Sequence, residues 1–372
     1  ASSLNSLGML SFRLFILQQP EKPKEEIWRT DVTDEDRQNA VKDEFGVLYS
    51  ADGIRLIKAL SDLVFYQIKE GTKVICDCAF RCKSVLKTIH IPNSVTQIGS
   101  RAFSGCSSLQ TIHISNFVRH IGINPFAGCT LLYLTSDSPY YKMINGLLIS
   151  SDGTLISCLS KDTHIHLPNS VTQIGNGAFF SCDALQSIHL PNSVTYIGDY
   201  AFNWCKALQN INIPNSVTHI GDYAFYGCEY LQSIHIPNSV KHIGINPFLG
   251  CLQCINIFYL VTHIGCFQLR LTSDSPYFKV INGLLISSDG TLISCFSRDT
   301  HIHLPNSVTQ IGDAAFGGCE DLQDIHLPNS VTQIGKDAFW GCCSLQTIHI
   351  PKGSMEKFMR LLPKYLHNKL RS

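Results

Sequence analysis

The chain has 372 residues, 44% hydrophobic and 16% charged, with 29 basic residues against 29 acidic ones. This balance provides no general electrostatic drive toward nucleic acid or an anionic membrane, and no apolar run reaches the roughly 18 to 20 residues that a spanning helix needs. The apolar content is enough for a substantial core.

In chain order, residues 1–43 come first and are of mixed character, reading as an N-terminal cap or linker. Residues 7–17 are apolar but broken by Arg13, and they lack a basic leader and a small-residue cleavage site; any export signal is expected to have been removed already. Residues 19–26, rich in Pro and charge, look like a linker or a loosely docked cap. At residues 45–58 two alternating runs meet at Asp52-Gly53, a degenerate hairpin signal.

From there the chain repeats. The phrase I-P-N-S-V-T-Q-I-G occupies residues 91–99, and close copies start at Leu167, Leu190, Ile213, Ile236, Leu304 and Leu327, with weaker ones at Ile68, Ile114 and Ile257. Pro168, Pro191, Pro214 and Pro237 set a period of 23 residues, as do Pro305, Pro328 and Pro351. A longer repeat lies over this one: residues 134–175 recur almost verbatim at 271–312. It carries hairpins near residues 145–158 and 282–295, each turning at Ser-Asp-Gly. After Pro351, residues 352–372 read as a C-terminal cap. Helical spacing joins Met355, Phe358, Met359, Leu362 and Leu366, with Pro363 expected to break or kink the helix.

Each part of the 23-residue unit has a physical assignment. In the Leu-x-x-Ile-x-Ile end, Leu185, Ile188 and Leu190 face one way and His189 the other, as in a half-buried strand. Proline ends the strand and Asn-Ser turns it; Val-Thr-x-Ile is a second short strand. Ala-Phe then drives a ring inward, so Phe103, Phe126, Phe179, Phe202, Phe225, Phe248, Phe316 and Phe339 are expected to stack as a spine. One coil cannot bury both of its apolar edges, so stability must come from stacking neighbours. The expected fold is a leucine-rich-repeat solenoid over residues 44–351: a β-rich right-handed superhelix of roughly ten stacked coils with inserted hairpins.

The phrases I-P-N-S-V-T-x-I-G-x-x-A-F-x-x-C and N-G-L-L-I-S-S-D-G-T-L resemble the BspA-like leucine-rich repeats of bacterial surface proteins, from about Phe45 to the C-terminus. The resemblance implies an exported, extracellular or surface-associated protein that binds host proteins, cells or other bacteria, with a protein or glycan ligand. A self-associating structural or scaffold role is the alternative.

Sixteen cysteines would suggest disulfides in a short secreted chain. Here Cys106, Cys129, Cys182, Cys205, Cys228, Cys251, Cys319 and Cys342 share one repeat phase, which predicts a column of buried free thiols packed as small hydrophobes. Cys76, Cys78, Cys82, Cys254, Cys266 and Cys343 fall outside it. Cys251-x-x-Cys254 and Cys76-x-Cys78 have metal-like spacing but no second pair, so no metal and no cofactor are expected. His113, His189, His235 and His326, with His90, His166, His303 and His349, form a second column. It predicts an outward ladder with rungs about 5 Å apart; Asn212 and Asn256 interrupt it, which favours a polar face over a ligand set. No Gly-x-Ser-x-Gly, phosphate loop or His-Glu-x-x-His is present, so no enzyme is expected. The candidate ligand-binding residues are the aromatics Tyr196, Tyr200, Trp204, Tyr223, Tyr226 and Tyr230, which crowd two consecutive coils mostly at positions the repeat leaves free; the alternative is that they pack against neighbouring coils or the adjacent insert.

Overall fold

The computed structural model describes residues 28–251 and 269–372. The repeat phrase at Ile257, Asn256, Cys254 and Cys266, and the expectations for residues 1–27, lie outside them.

Each coil contributes two very short strands. Val-Thr-x-Ile supplies a two-residue strand such as Tyr196–Ile197, and the His-bearing phrase a strand of three or four residues such as Ser187–His189. Neither is long enough to be stable alone. Each pairs in parallel with its copy one coil on: Gln173 with Tyr196, Tyr196 with His219, and His219 with His242. His166 pairs with His189, and His189 with Asn212. The result is a β-solenoid of about 13 coils with a repeat near 23 residues, more than the repeat phrase alone marks. The excess comes from three antiparallel meanders whose last strands join the parallel ladders.

The meanders are Val41–Lys42, Val47–Tyr49 and Arg55–Ala59; then Tyr141–Ile144, Leu147–Ser150 and Thr154–Cys158; then Phe278–Ile281, Leu284–Ser287 and Thr291–Cys295. Each opens a module with its own core, and the strands of the second and third serve two cores at once. Leu148 packs into the first core, while Leu147 and Ile149 pack into the second. The phenylalanine spine follows the same division. Phe80, Phe103 and Phe126 stack at centroid spacings of 5.4 and 5.8 Å; Phe179, Phe202, Phe225 and Phe248 at 4.9, 5.2 and 5.7 Å; Phe316 and Phe339 at 5.1 Å.

Polar repeat residues serve the backbone of the neighbouring coil, which matters because buried carbonyls and amides need partners. Ser193 Oγ donates to Val171 O, and Ser216 Oγ to Val194 O, both at 2.6 Å. Asn176, Asp199 and Asp222 form a ladder, each Oδ1 accepting from an amide of the next coil: Asp199 N at 2.9 Å, Asp222 N at 2.9 Å and Ile245 N at 2.7 Å. The cysteine column works in the same way. Cys205 Sγ donates to Phe179 O at 3.0 Å and Cys228 Sγ to Phe202 O at 3.1 Å. All described cysteines are free, and burial pushes the Cys106 and Cys129 thiols up to about 12.

Residues 28–39 do not sit at the end of the stack. They lie along the outer face of the first module: Asp77 N donates to Thr30 O at 2.8 Å, and Arg55 Nη1 to Asp36 Oδ1 at 2.8 Å. The Gln97 side-chain amide, oriented to satisfy both contacts, donates to Trp28 O at 2.6 Å and accepts from Trp28 N. At the other end, the helix Met355–Leu361 stops before Pro363, which precedes the 3₁₀ turn Lys364–Lys369. The final strand, Leu370–Arg371, pairs with Thr347–His349 and covers that edge. Phe358, Leu362 and Leu366 close the core, whereas Met355 and Met359 of the same helical spacing point outward. No helix among the described residues is long and apolar enough to cross a membrane.

Candidate binding surface

The third side of each coil, the arc x-Ala-Phe-x-x-Cys, turns too tightly for ordinary backbone. Two residues per coil take positive φ. The one before Ala-Phe or Pro-Phe is Cys78, Arg101, Asn124, Gly177, Tyr200, Tyr223, Asn246, Ala314 and Asp337 in successive coils. The second is glycine at Gly105, Gly128, Gly227, Gly250, Gly318 and Gly341, but Cys82, Ser181 and Trp204 elsewhere. A side chain in this left-handed region costs about 1–2 kcal/mol. Trp204, at φ 60°, thus puts the largest side chain where most coils use glycine, and Tyr200 and Tyr223 sit at 55° and 51°.

These rings assemble into a ledge. Tyr200 and Tyr223 stack at 5.3 Å, Tyr226 meets Tyr223 edge-on at 6.1 Å, and Trp204 meets Tyr226 edge-on at 5.5 Å. The Lys206 ammonium lies 5.2 Å from the Trp204 ring centre. The indole is floored by Gly227, where an added Cβ would come within 3.1 Å of it. Tyr200 is 41% exposed and Trp204 36%. Burial, then Tyr200 and Asp222, raises the Tyr223 phenol, which keeps it a neutral donor.

Of the six aromatic candidates, Tyr200, Trp204, Tyr223 and Tyr226 come together. Tyr230 stands exposed beside them, its amide donating to Lys206 O. Tyr196 lies instead on the strand face, stacked on His219 at 4.7 Å. Burial and the carboxylates of Asp199 and Asp222 raise its phenol.

The histidines form short stacks. His166 and His189 are 5.6 Å apart, His303 and His326 3.9 Å, and His326 and His349 4.1 Å. His113 and His235 end their columns against threonine. His113 Nδ1 meets Thr135 Oγ1 at 2.9 Å and its Nε2 meets Asp137 at 3.3 Å; His235 repeats this with Thr272 and Asp274 at 2.9 and 3.2 Å. This Thr-His-Asp geometry was not foreseen from sequence. Its side chains are about half to three-quarters exposed, and it ties the last strand of one module to the turn that follows. Among the described residues no group of three or more His, Cys, Asp or Glu is arranged to hold a metal ion. A cleft of about 290 Å³ opens at the first module junction between Asn124, Ser160 and Ser181, also unforeseen.

A stack of 23-residue coils with thiol and phenylalanine columns inside and variable side chains outside defines a leucine-rich-repeat solenoid. The chain belongs to the BspA type leucine rich repeat region family, which matches residues 59–146, 155–268 and 293–360. Among solved structures it is similar to a leucine rich cell surface protein of Faecalibacterium prausnitzii, at 30% identity and a TM-score of 0.45, covering 80% of this chain and 62% of that one. The chain therefore spans less than two thirds of that relative's length. It is also similar to a leucine-rich repeat protein of Bacteroides ovatus, at 24% identity and a TM-score of 0.38, covering 90% of each chain. A third is the pneumococcal vaccine antigen PcpA, at 17% identity and a TM-score of 0.48, covering 84% of this chain and 67% of that one. No curated protein matches.

Proposed function

We propose that the protein is a non-enzymatic binding module of the cell surface or the extracellular space. It holds a protein or glycan ligand over its repeat face, with Tyr200, Tyr223, Tyr226 and Trp204 as the anchor. The observation that carries this is Trp204 in the glycine column. A coil needs no large side chain there and is strained by one, and strained residues concentrate at sites of function. Rigid, half-exposed aromatics flanked by a cation are what binding hot spots use, and the family resemblance supports a surface location.

The test is a solid-phase panel of matrix proteins, mucins, glycans and bacterial cells against the full chain and the variant Tyr200→Asn/Trp204→Gly. Both replacements are residues the same columns already use at positive φ, so relieved strain offsets part of the lost ring packing. Saturable binding lost in a folded variant supports the proposal. Binding retained by the variant removes the ledge from it, and silence across the panel with ordered assemblies of the pure protein replaces it with self-association.

A further inference from the structure

The outer face of the first module is occupied by the chain itself; among the described residues, none lies across the same face of the second. In the first module the outward row is Arg55, Val74, Gln97 and His120, joined by parallel pairing. Val74 is 0% and Gln97 2% exposed, although alternation should leave them in solvent, because residues 28–31 lie across them. The corresponding row in the second module is Thr154, Gln173, Tyr196, His219 and His242. Here Gln173 and His242 are exposed, and Tyr196 and His219 half-buried.

The two grooves differ in charge. The first has the Arg55 guanidinium, buried to 9% exposure, and receives an acidic segment: Asp36 pairs with Arg55 at 2.8 Å and Asp31 O accepts from it. The second has Thr154 in that place. Along its edge run Asp199 and Asp222, each spending Oδ1 on the next coil's amide and leaving Oδ2. The Tyr196 ring, stacked on His219 at 4.7 Å with His242 tilted beyond it at 5.5 Å, floors the groove and offers a face that suits a cation. Lys241 stands at the far end of the row.

We propose that this second-module face is a docking groove for an extended basic segment of a partner protein, laid across the strands as residues 28–36 are laid across the first. The chain's own segment shows how an extended backbone is held there, by side-chain amides and strand-end amides. The first edge carries one such carboxylate, Asp77, whose Oδ1 accepts from Ser100 N, and the second carries two; with Arg55 replaced by Thr154, the charge the face accepts is inverted. This groove adjoins the aromatic ledge, because Tyr200 and Tyr223 directly follow Asp199 and Asp222; the variant Tyr200→Asn/Trp204→Gly should leave lysine-peptide binding unchanged.

The test uses the full chain and two labelled peptides of residues 28–39, one native and one carrying Asp31→Lys, Asp34→Lys, Glu35→Lys and Asp36→Lys, read by fluorescence anisotropy. The lysine peptide is expected to bind saturably, and Asp199→Asn/Asp222→Asn to weaken it about five- to tenfold. The melting temperature should hold, because an amide oxygen keeps the ladder, as Asn176 does. Absence of saturable binding by the lysine peptide, equal binding by the Asn variant, or equally tight binding of the native acidic peptide overturns the proposal.

Discussion

Replacing Asp199 by alanine deletes the acceptor of the Asp222 amide, a 2.9 Å bond between coils in a half-buried setting. Hydrogen bonds to charged groups contribute about 1.5–3 kcal/mol, and an amide left without a partner costs about 1–3 kcal/mol. Half-burial lets water repay part of this, so the expected loss is about 1–2 kcal/mol. For a cooperative unit the size of the middle module that is a fall of about 3–7 °C in melting temperature. Asp199→Asn keeps an oxygen in the same place and loses only a partly exposed charge, so it should cost less than about 0.5 kcal/mol. Differential scanning calorimetry resolves the two, and hydrogen exchange at Asp222 N localises the effect. Equal destabilisation by Ala and Asn would refute the reasoning, because charge rather than the inter-coil bond would then be what the position supplies.

Gly227→Ala places a Cβ 3.1 Å from the Trp204 indole at φ 70°; it should cost more than about 1 kcal/mol and shift tryptophan emission, which an unchanged spectrum would contradict. Alkylation mapped by mass spectrometry should label the exposed Cys82 and Cys343 within minutes at pH 8 while Cys106 and Cys129, held at about 12, stay unlabelled; equal rates would place the column in solvent. Burial and the neighbouring His303 and His349 lower the His326 pKa. The unfolded chain takes up this proton first, so the stability from neutral His326 is complete above about pH 6.5 and declines as pH falls toward the lowered folded value. Thermal melts from pH 7.5 to 5 should show that decline, and His326→Asn should flatten it; a variant with an unchanged slope would assign the effect elsewhere.

The coils were legible because their signals are local. Ile188 and His189 alternate within one strand, and Pro191 and Pro214 recur at a fixed distance. The cysteine column was legible as a column, but not the bond from Cys205 to Phe179 O, which joins residues 26 apart in a geometry only the stacked coil creates. The aromatics at Tyr200 and Trp204 stood out by composition. Their strain did not, because positive φ shows only when Trp204 is aligned with Gly227 and Gly250 and the coil's third side is known to turn there. Residues 28–39 belong to no repeat, so nothing in their pattern showed that Gln97 would be buried beneath Trp28.

The second and third meanders, which each serve two cores, also decide how the molecule yields to force. Tension applied at the two ends meets three hydrophobic clusters whose sheets do not pair across the junctions, so the modules are held to one another by side-chain packing against the meanders, whereas within a module each coil is also hydrogen-bonded to the next. Rupture at a junction leaves its neighbours packed, and unravelling of the middle, 137-residue unit gives a contour gain of about 450 Å. A tethered chain of this design lengthens in steps, and each step dissipates the pull while the remaining modules keep their surfaces intact.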